Sequence, residues 1–507
     1  MTPTLIIAVI GLYFAILVGI AWITSRNADS DSYFLGNKTS PWIAVAFGML
    51  GDSLSGVTFI SVPGAVGAAK FSYLQLVLGY LVGYFIISRI LLPLYYRMNL
   101  TSIYSYLEER YGRNAQKTGA FFFILSRMLG AAGRLFLAVT VIQFFVFSKL
   151  DVPHWLNPSG TGVPFWLSVS IIILLIFVYT YKGGIKTLVW TDTFQSSVLL
   201  LAVVASVVVI ASNLDLSFGG VVSTIKNSEY SQVFFWDWAP KNFFFKQFLG
   251  GAFIAVVMTG LDQNMMQKNL SCRSLGDAQK NMEWFSLVMA LVTIFFLCLG
   301  ALLWTYANKI GLELPLNSAG KPDTDTLFPN LALNHLGLWA GLLFIVGLTA
   351  ATFSSADSVL TTLTTSFYVD FLEYDKKGLT EKKKTNARHI IHIAFAVILL
   401  IVILLFKQLN SSAVIDTVLK VATYTYGPLL GLFAYGIFTK TKTRDALVPL
   451  ICLLAPLVSY LIDINSVKWL GGYQFGNELL LLNGGITALM LWMARQKDAP
   501  TVLVNAG

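Results

Sequence analysis

The apolar segment at residues 41–69 is interrupted by residues that a membrane helix normally avoids. It contains Gly51-Asp52-Ser53-Leu54-Ser55-Gly56 and, nearer its end, Pro63-Gly64. Unwound backbone at membrane depth is tolerated only where protein covers it or where it lines a cavity. The freed carbonyls can coordinate a cation, and the helix ends beside them can bind a solute. A glycine-rich packing seam is the alternative, but such a seam does not need the carboxylate of Asp52.

A second oxygen-rich stretch lies in the apolar segment at residues 337–368. Ala351, Ser354, Ser355 and Ser358 share one face of a helix, because they are spaced three or four residues apart. Carbonyl, hydroxyl and carboxylate oxygens are the ligands that hard cations prefer. The hydroxyls alone could equally bond neighbouring helices. Asp357 favours a cation site, because placing a carboxylate in a membrane helix costs roughly 2.5–3.5 kcal/mol and normally serves a partner or a task.

The segment at residues 245–267 is interrupted as well, by Gly250-Gly251 and by the polar run that starts at Thr259. Paired interrupted segments in corresponding halves of a chain are typical of transporters built from inverted repeats. We therefore predict two five-helix repeats. The single transmembrane domain at residues 1–507 then comprises an extra N-terminal helix and loop, a first repeat, a second repeat, and C-terminal helices with a tail, at residues 1–40, 41–212, 245–440 and 441–507.

The composition is that of an integral membrane protein. Of the 507 residues 56% are hydrophobic and 12% are charged, and the mean hydropathy of +0.70 is too high for a soluble domain. A helix of about 20 apolar residues crosses a bilayer, and this length predicts thirteen spans in an all-α fold. They lie at residues 4–24, 41–69, 71–95, 118–148, 164–180, 187–212, 245–267, 284–307, 337–368, 389–406, 414–439, 445–462 and 479–494. No nucleophile with a base and no metal-ligand spacing is visible, so we do not expect an enzyme.

The positive residues predict the orientation. With the N-terminus outside, the cytoplasmic loops and tail hold 22 Lys and Arg residues, against about nine in the opposite loops. Such residues concentrate on the cytoplasmic side of membrane proteins. We therefore expect a multi-pass protein of a bacterial inner membrane, with its N-terminus outside and its C-terminus in the cytoplasm. These loops account for the net charge of +9, so no nucleic-acid partner is expected.

Five pieces of sequence follow one another along nearly the whole chain. They are the interruption at Gly51–Gly56, Gly183-Gly184 followed by Trp190-Thr191-Asp192, the segment Gln263–Lys268, the Ser/Thr run from Thr349, and Tyr426-Gly427-Pro428-Leu429-Leu430-Gly431-Leu432-Phe433. Together they resemble the sodium/solute symporter family, which includes sodium–glucose, proline, sialic acid and monocarboxylate carriers. The resemblance implies a LeuT-type inverted-repeat fold and sodium-coupled symport by alternating access. We expect the protein to act as a monomer in the lipid bilayer.

The resemblance also implies the ion ligands. The shared sodium site would use the carbonyls of Gly51, Leu54 and Ala351 and the hydroxyls of Ser354 and Ser355. Members with two sodium ions resemble this chain at a second set of positions, namely Asp192, Ser354, Asp357 and Ser358. Asp357 stands where those members carry a serine. It could strengthen a second cation site or form a proton-accepting pair with Asp192, and we favour the second cation. The expected co-transported ion is therefore Na⁺, one or two per cycle.

The fold that the resemblance implies places the solute beside the interruption at residues 51–56. The candidates are Ser53, Ser55, Thr58, Gln75, Asp262, Gln263, Tyr424 and Arg134. Sialic acid carriers of this family use an arginine in the equivalent of the fourth span, and the resemblance implies that Arg134 could play that role, because a guanidinium can clamp a carboxylate with two hydrogen bonds. The alternative is an internal ion pair of Arg134 with Asp52 or Asp416.

We therefore expect a carboxylate-bearing or zwitterionic solute, with a neutral sugar or polyol as the alternative. A channel or a solute sensor of the same fold is less well supported. A channel would need rings of charge along a polar pore, and the carboxylates here are scattered singly.

Overall fold

Most of the residues that the structure describes are helical. The structure is a computed structural model that describes residues 3–26, 30–150, 152–153, 155–157, 162–317, 320–374, 377–378, 380–409 and 412–496, apart from the side chains of residues 3, 30, 31, 409 and 412–422. The α-helices within these ranges are α1 (Pro3–Thr24), α2 (Ser30–Leu35), α3 (Trp42–Ser53), α4 (Gly56–Ala69), α5 (Tyr73–Ile86), α6 (Leu92–Arg97), α7 (Ser105–Arg110), α8 (Arg113–Phe145), α9 (Phe165–Thr180), α10 (Gly184–Asn213), α11 (Phe218–Lys226), α12 (Phe244–Ala255), α13 (Gln263–Leu270), α14 (Leu275–Lys309), α15 (Leu327–Asn330), α16 (Gly337–Ser366), α17 (Glu381–Leu409), α18 (Ser412–Phe438), α19 (Val448–Trp469) and α20 (Leu479–Met493).

Each predicted span coincides with one helix, or with a pair or series of helices. Among the described residues, eight helical stretches are long and apolar enough to cross a membrane, and two bent pairs reach that length together. The shorter apolar helices α9 and α20, together with α18, complete the thirteen. Several helices start earlier than predicted. The helix α14 begins at Leu275 rather than at residue 284, because the Ser274 hydroxyl accepts a hydrogen bond from Asp277 N and caps the first turn.

The first bent pair is the predicted interruption. The axes of α3 and α4 differ by 61°. Leu54 N donates to Leu50 O at 2.8 Å, and the next helical bond runs from Phe59 N to Ser55 O at 3.0 Å. The carbonyls from Gly51 to Leu54 fall between these two bonds, outside the regular pattern of either helix. Four carbonyl oxygens are thus available at one bend in the middle of the span.

The second bent pair, α12 and α13, differs in direction by 63°. A π-turn at Val256–Gly260 leads into the bend, and two tyrosines accompany it. Tyr95 OH donates to Gly260 O at 2.8 Å, and Tyr104 OH donates to Leu261 O at 3.1 Å. These bonds satisfy the carbonyls that the break releases, which a buried backbone requires.

The helix α16 lies at the centre of the bundle. It contacts α1, α3, α4, α8, α9, α10 and α17, and every residue from Thr349 to Ser366 is buried. A helix that is buried on all sides has no face for lipid. The hydroxyls and the carboxylate of this stretch therefore face other helices, where their polarity must be matched by partners.

Candidate functional site

The structure brings the α3–α4 break against the hydroxyl-bearing face of α16. A Cβ added at Gly51 would lie 2.2 Å from Ser354 Oγ, and one at Gly56 would lie 3.0 Å from Thr352 Oγ1. The glycines are what allows this approach. Leu54, Ala351, Ser354 and Ser355 are all buried. The break therefore lies directly against α16, with Gly51 next to Ser354 and Gly56 next to Thr352.

The two serines make different contacts of their own. Ser355 Oγ donates to Thr352 O at 3.1 Å within α16. Ser354 Oγ donates to Asp192 Oδ1 of α10 at 3.4 Å. A hydroxyl retains lone pairs when it donates, so both oxygens can still face a cation.

The residues predicted for a second cation site are divided between two groups. Asp192 is fully buried and accepts hydrogen bonds from Ser354 and, at 3.2 Å, from Ser358. Asp357 bonds elsewhere: its Oδ2 accepts from Tyr179 OH of α9 at 2.8 Å. No hydrogen bond joins the two carboxylates to a common group among the described residues. The structure thus joins Asp192 to Ser354 and Ser358 by hydrogen bonds, whereas Asp357 bonds to Tyr179.

Lys268 of α13 occupies the centre of the Asp192 group, which the sequence reasoning did not foresee. Its Nζ donates to Asp52 Oδ2 at 2.6 Å and to Asp192 Oδ2 at 2.5 Å, and its side chain is fully buried. Asn264 Nδ2 also donates to Asp52 Oδ2, at 2.9 Å. The signal in the sequence was the pair of carboxylates, Asp52 and Asp192, since a carboxylate at membrane depth normally has a cationic partner. Lys268 stands at the end of an apolar run, where a lysine is typical of the cytoplasmic boundary of a span.

A cavity of about 590 Å³ begins beside the break and extends to Lys70, at the end of α4, and to Asn477, before α20. A smaller cavity of about 220 Å³ lies at the break itself. The two cavities share lining residues from α4, α5, α8, α12 and the π-turn after α12, namely Val57, Thr58, Tyr73, Tyr80, Arg127, Arg134, Ile254 and Met258. Their joint lining is largely apolar and aromatic with a few polar groups, which is typical of small-molecule sites.

Four of the predicted solute residues line these cavities. Thr58 and Arg134 line both, and Ser53 and Ser55 line the smaller one. Arg134 does not pair with Asp52, which binds Lys268 and Asn264 instead. The other acid proposed for it, Asp416, has a side chain outside the described residues. Arg134 makes no hydrogen bond and no ion pair with the part of the chain that the structure describes.

The other predicted solute residues have different partners. Gln75 donates to Asn242 O and accepts from Phe235 N, so it fastens the loop before α12. Gln263 bonds the backbone of Thr101 and Ile103. Gln75 and Gln263 are not among the residues that line the two cavities. Their amides pair with backbone groups instead, as buried amides usually do.

Tyr424 is not among the residues that line the two cavities, and its hydroxyl donates to Asp463 at 2.7 Å. Asp262 caps α13 by accepting from Met265 N, and it holds Arg127 Nε at 2.6 Å and Tyr426 OH at 3.0 Å. Arg127 lines both cavities and was not among the predicted site residues. Its spacing of seven residues from Arg134, two helical turns, was the available signal.

The profile of the sodium:solute symporter family matches residues 33–452. The chain belongs to the sodium:solute symporter family. It is accordingly a sodium-coupled transporter and not an enzyme, as predicted.

Three curated relatives match over most of the chain. It is 24% identical over 498 residues to the sodium/sialic acid symporter NanT of Aliivibrio fischeri, covering 96% of this chain and 91% of the relative. It is 23% identical over 496 residues to the sodium/sialic acid symporter SiaT of Proteus mirabilis, covering 95% and 94%. It is 25% identical over 475 residues to the sodium-coupled monocarboxylate transporter 1 of Mus musculus, covering 92% and 71%.

Two solved structures share the fold. A Na⁺-coupled sialic acid symporter in a substrate-bound outward-open state superposes with a TM-score of 0.81 at 20% identity, covering 98% of both chains. The nucleobase-cation-symport-1 transporter Mhp1 in a closed conformation superposes with a TM-score of 0.56 at 17% identity, covering 92% of this chain and 94% of its own. The predicted all-α LeuT-type fold and the multi-pass membrane class are therefore confirmed.

Proposed function

We propose that the protein imports a small carboxylate-bearing or zwitterionic solute together with Na⁺. The observation that carries this proposal is Arg134, whose guanidinium lines both cavities beside the α3–α4 break and pairs with no described acid. An unneutralised guanidinium in a largely apolar cavity favours an anionic ligand, and its planar fork fits a carboxylate. The names of the relatives agree, because sialic acids and monocarboxylates both carry a carboxylate.

The proposed Na⁺ ligands are the carbonyls of Gly51, Leu54 and Ala351 and the hydroxyls of Ser354 and Ser355. The close approach of Gly51 to Ser354 supports this assignment, as does the position of the Gly51 and Leu54 carbonyls at the bend. The five ligands include no carboxylate. A neutral ligand set holds a cation less tightly than a charged one, which suits an ion that must be released on the other side.

Na⁺ and the solute would act on the same break. The ion bridges the end of α3 to α16, while Ser55 and Thr58, just beyond the bend, line the solute cavity. An ion that fixes the bend therefore also fixes the cavity wall. Coupling then arises because the state with an ordered break binds both ligands better than the alternative state does. An inward membrane potential adds about 2.3 kcal/mol per charge per 100 mV.

We further propose the inner membrane of a bacterium as the location, with the N-terminus outside, the C-terminus in the cytoplasm, and the monomer in the lipid bilayer as the working unit. The excess of Lys and Arg in the loops on one side supports this orientation. The two bent pairs, α3–α4 and α12–α13, support repeats at residues 41–212 and 245–440, since each repeat begins with one of them.

Uptake into proteoliposomes tests the proposal. Purified protein is reconstituted, and uptake of labelled N-acetylneuraminate, L-lactate and D-glucose is measured with an inward Na⁺ gradient or with K⁺ in its place. We expect Na⁺-driven accumulation of at least one of the two carboxylates and none of glucose. Accumulation of glucose alone, or of a carboxylate equally in K⁺, would contradict the proposal.

The same assay tests the role of Arg134. The variant Arg134→Gln should lose uptake of the carboxylate, because the guanidinium clamp is gone. Arg89→Gln is the matched control, since Arg89 lies at the surface in an ion pair with Glu283, and it should transport normally. Full uptake by Arg134→Gln would show that another group recognises the carboxylate.

A further inference from the structure

The ammonium of Lys268 is buried among three helices besides its own. It contacts Asp52 of α3 and Asp192 of α10, and Asp192 in turn accepts hydrogen bonds from Ser354 and Ser358 of α16. A buried ammonium is strongly unfavourable unless carboxylates neutralise it. Two carboxylates surround this one, so the cluster of Asp52, Asp192 and Lys268 carries a formal charge of −1.

Both carboxylate oxygens of Asp192 already accept hydrogen bonds from neighbouring side chains. Oδ1 accepts from Ser354, and Oδ2 accepts from Ser358 and from Lys268. A metal ion at this position would need these oxygens to face it without the intervening hydrogens. A metal ion here would also be repelled by the ammonium of Lys268, which is bound to the same carboxylate. The lysine therefore fills the place that a cation would take.

We propose that Lys268 is a built-in substitute for a second sodium ion, so that the protein binds one Na⁺ per transport cycle. This inference rests on the proposed function, because it assumes the sodium site between α3 and α16. The ammonium neutralises Asp192 permanently and links α3, α10 and α13. Ser354 connects the two cation positions, because it is a proposed Na⁺ ligand and also donates to Asp192.

The linkage explains how one ion suffices. A second sodium ion at Asp192 would bind and leave in each cycle, whereas Lys268 holds Asp192 of α10 to α13 and, through Asp52, to α3 at all times. The single Na⁺ then has to fix only the α3–α4 break. Asp357 shares no hydrogen bond with Asp52, Asp192 or Lys268 among the described residues: its Oδ2 accepts from Tyr179, and its Oδ1 has no hydrogen-bond partner there.

Equilibrium binding of ²²Na⁺ to the purified protein tests the inference without knowledge of the solute. The wild-type protein should bind one Na⁺ per chain with a Hill coefficient of about 1. Binding of two Na⁺ per chain would overturn the inference and leave the proposed symport intact. Binding of no Na⁺ would instead refute the proposed function itself.

Substitutions at Lys268 then test the mechanism. Lys268→Arg keeps a cation at the cluster and should still bind one Na⁺. Lys268→Met removes the cation from between two carboxylates and should bind a second Na⁺, with the Hill coefficient rising towards 2. Lys246→Met is the matched control and should bind one Na⁺, because Lys246 is also buried but bonds the carbonyls of Ala239 and Gln474.

The double variant Lys268→Met with Asp52→Asn guards against misfolding of the single variant. It removes one positive and one negative charge, so the cluster keeps its formal charge of −1 with Asp192 alone. It should likewise bind two Na⁺ per chain. A folded double variant that binds one Na⁺ would show that Lys268 does not exclude the second ion, and it would overturn the inference.

Discussion

Replacing Gly51 by alanine tests the contact between the helix break and α16. The added Cβ would lie 2.2 Å from Ser354 Oγ and 2.7 Å from Ser196 Oγ, whereas ordinary contacts begin at 3.4 Å. The helices must therefore separate, or Ser354 must move, by the difference between 3.4 and 2.2 Å, which is about 1.2 Å. Ligand positions around a metal ion tolerate only about 0.2 Å.

Either movement removes at least one oxygen from the proposed Na⁺ site. We expect Gly51→Ala to weaken Na⁺ binding by tenfold or more, a loss of at least about 1.4 kcal/mol. Overpacking should also lower the free energy of unfolding by about 1–3 kcal/mol. Gly48→Ala is the matched control on the same helix, because its Cβ would meet Asp192 Cβ at an ordinary 3.4 Å.

The assay is the thermal stability of the purified proteins, titrated with NaCl while KCl keeps the ionic strength constant. Gly48→Ala should keep the wild-type Na⁺ midpoint, and Gly51→Ala should need much more Na⁺ for the same stabilisation. If folded Gly51→Ala had the wild-type midpoint, the break would not meet α16 at a sodium site.

Three further substitutions give distinct results. Ser354→Ala should abolish the stabilisation by Na⁺ in the same titration. Thr349→Ala is the control and should retain it, because it loses a hydroxyl that bonds only within the same helix. An unchanged Na⁺ response of Ser354→Ala would count against the sodium site. Arg127→Gln should lower the free energy of unfolding by about 3–5 kcal/mol, because it leaves Asp262 buried with an uncompensated charge, and a loss below about 1 kcal/mol in denaturant unfolding would refute that role. Gln75→Leu should lower the free energy of unfolding by about 1–3 kcal/mol, because it leaves the backbone groups of Asn242 and Phe235 unpaired. The affinity for the transported carboxylate should not change. A weaker affinity in the uptake assay would show that Gln75 contributes to solute binding.

The sequence predicted the fold and the helix break because both rest on strong local signals. Long apolar runs can only be membrane spans, and the glycines around Asp52 cannot belong to an ordinary lipid-facing helix. The hydroxyl run of α16 was visible for the same reason. Each of these features violates the pattern of its own segment, so no knowledge of distant contacts was needed.

The partners of buried polar groups could not be predicted in this way. The sequence offered Arg134 as a possible partner of Asp52, whereas the structure pairs Asp52 with Lys268, which lies 216 positions further along the chain. Gln75 and Gln263 looked like solute residues because they are polar side chains in apolar surroundings. In the structure they satisfy loop backbone instead. Burial identifies a polar residue as important, and only the three-dimensional packing shows which group it serves.

A cryo-electron microscopy map of the protein in Na⁺, compared with one in K⁺ alone, tests the central claim most directly. In Na⁺ we predict a density peak enclosed by the carbonyls of Gly51, Leu54 and Ala351 and the hydroxyls of Ser354 and Ser355. That peak should be absent in K⁺. A map in Na⁺ with no peak between the break and α16, or with an ion beside Asp192 in place of the Lys268 ammonium, would contradict the account.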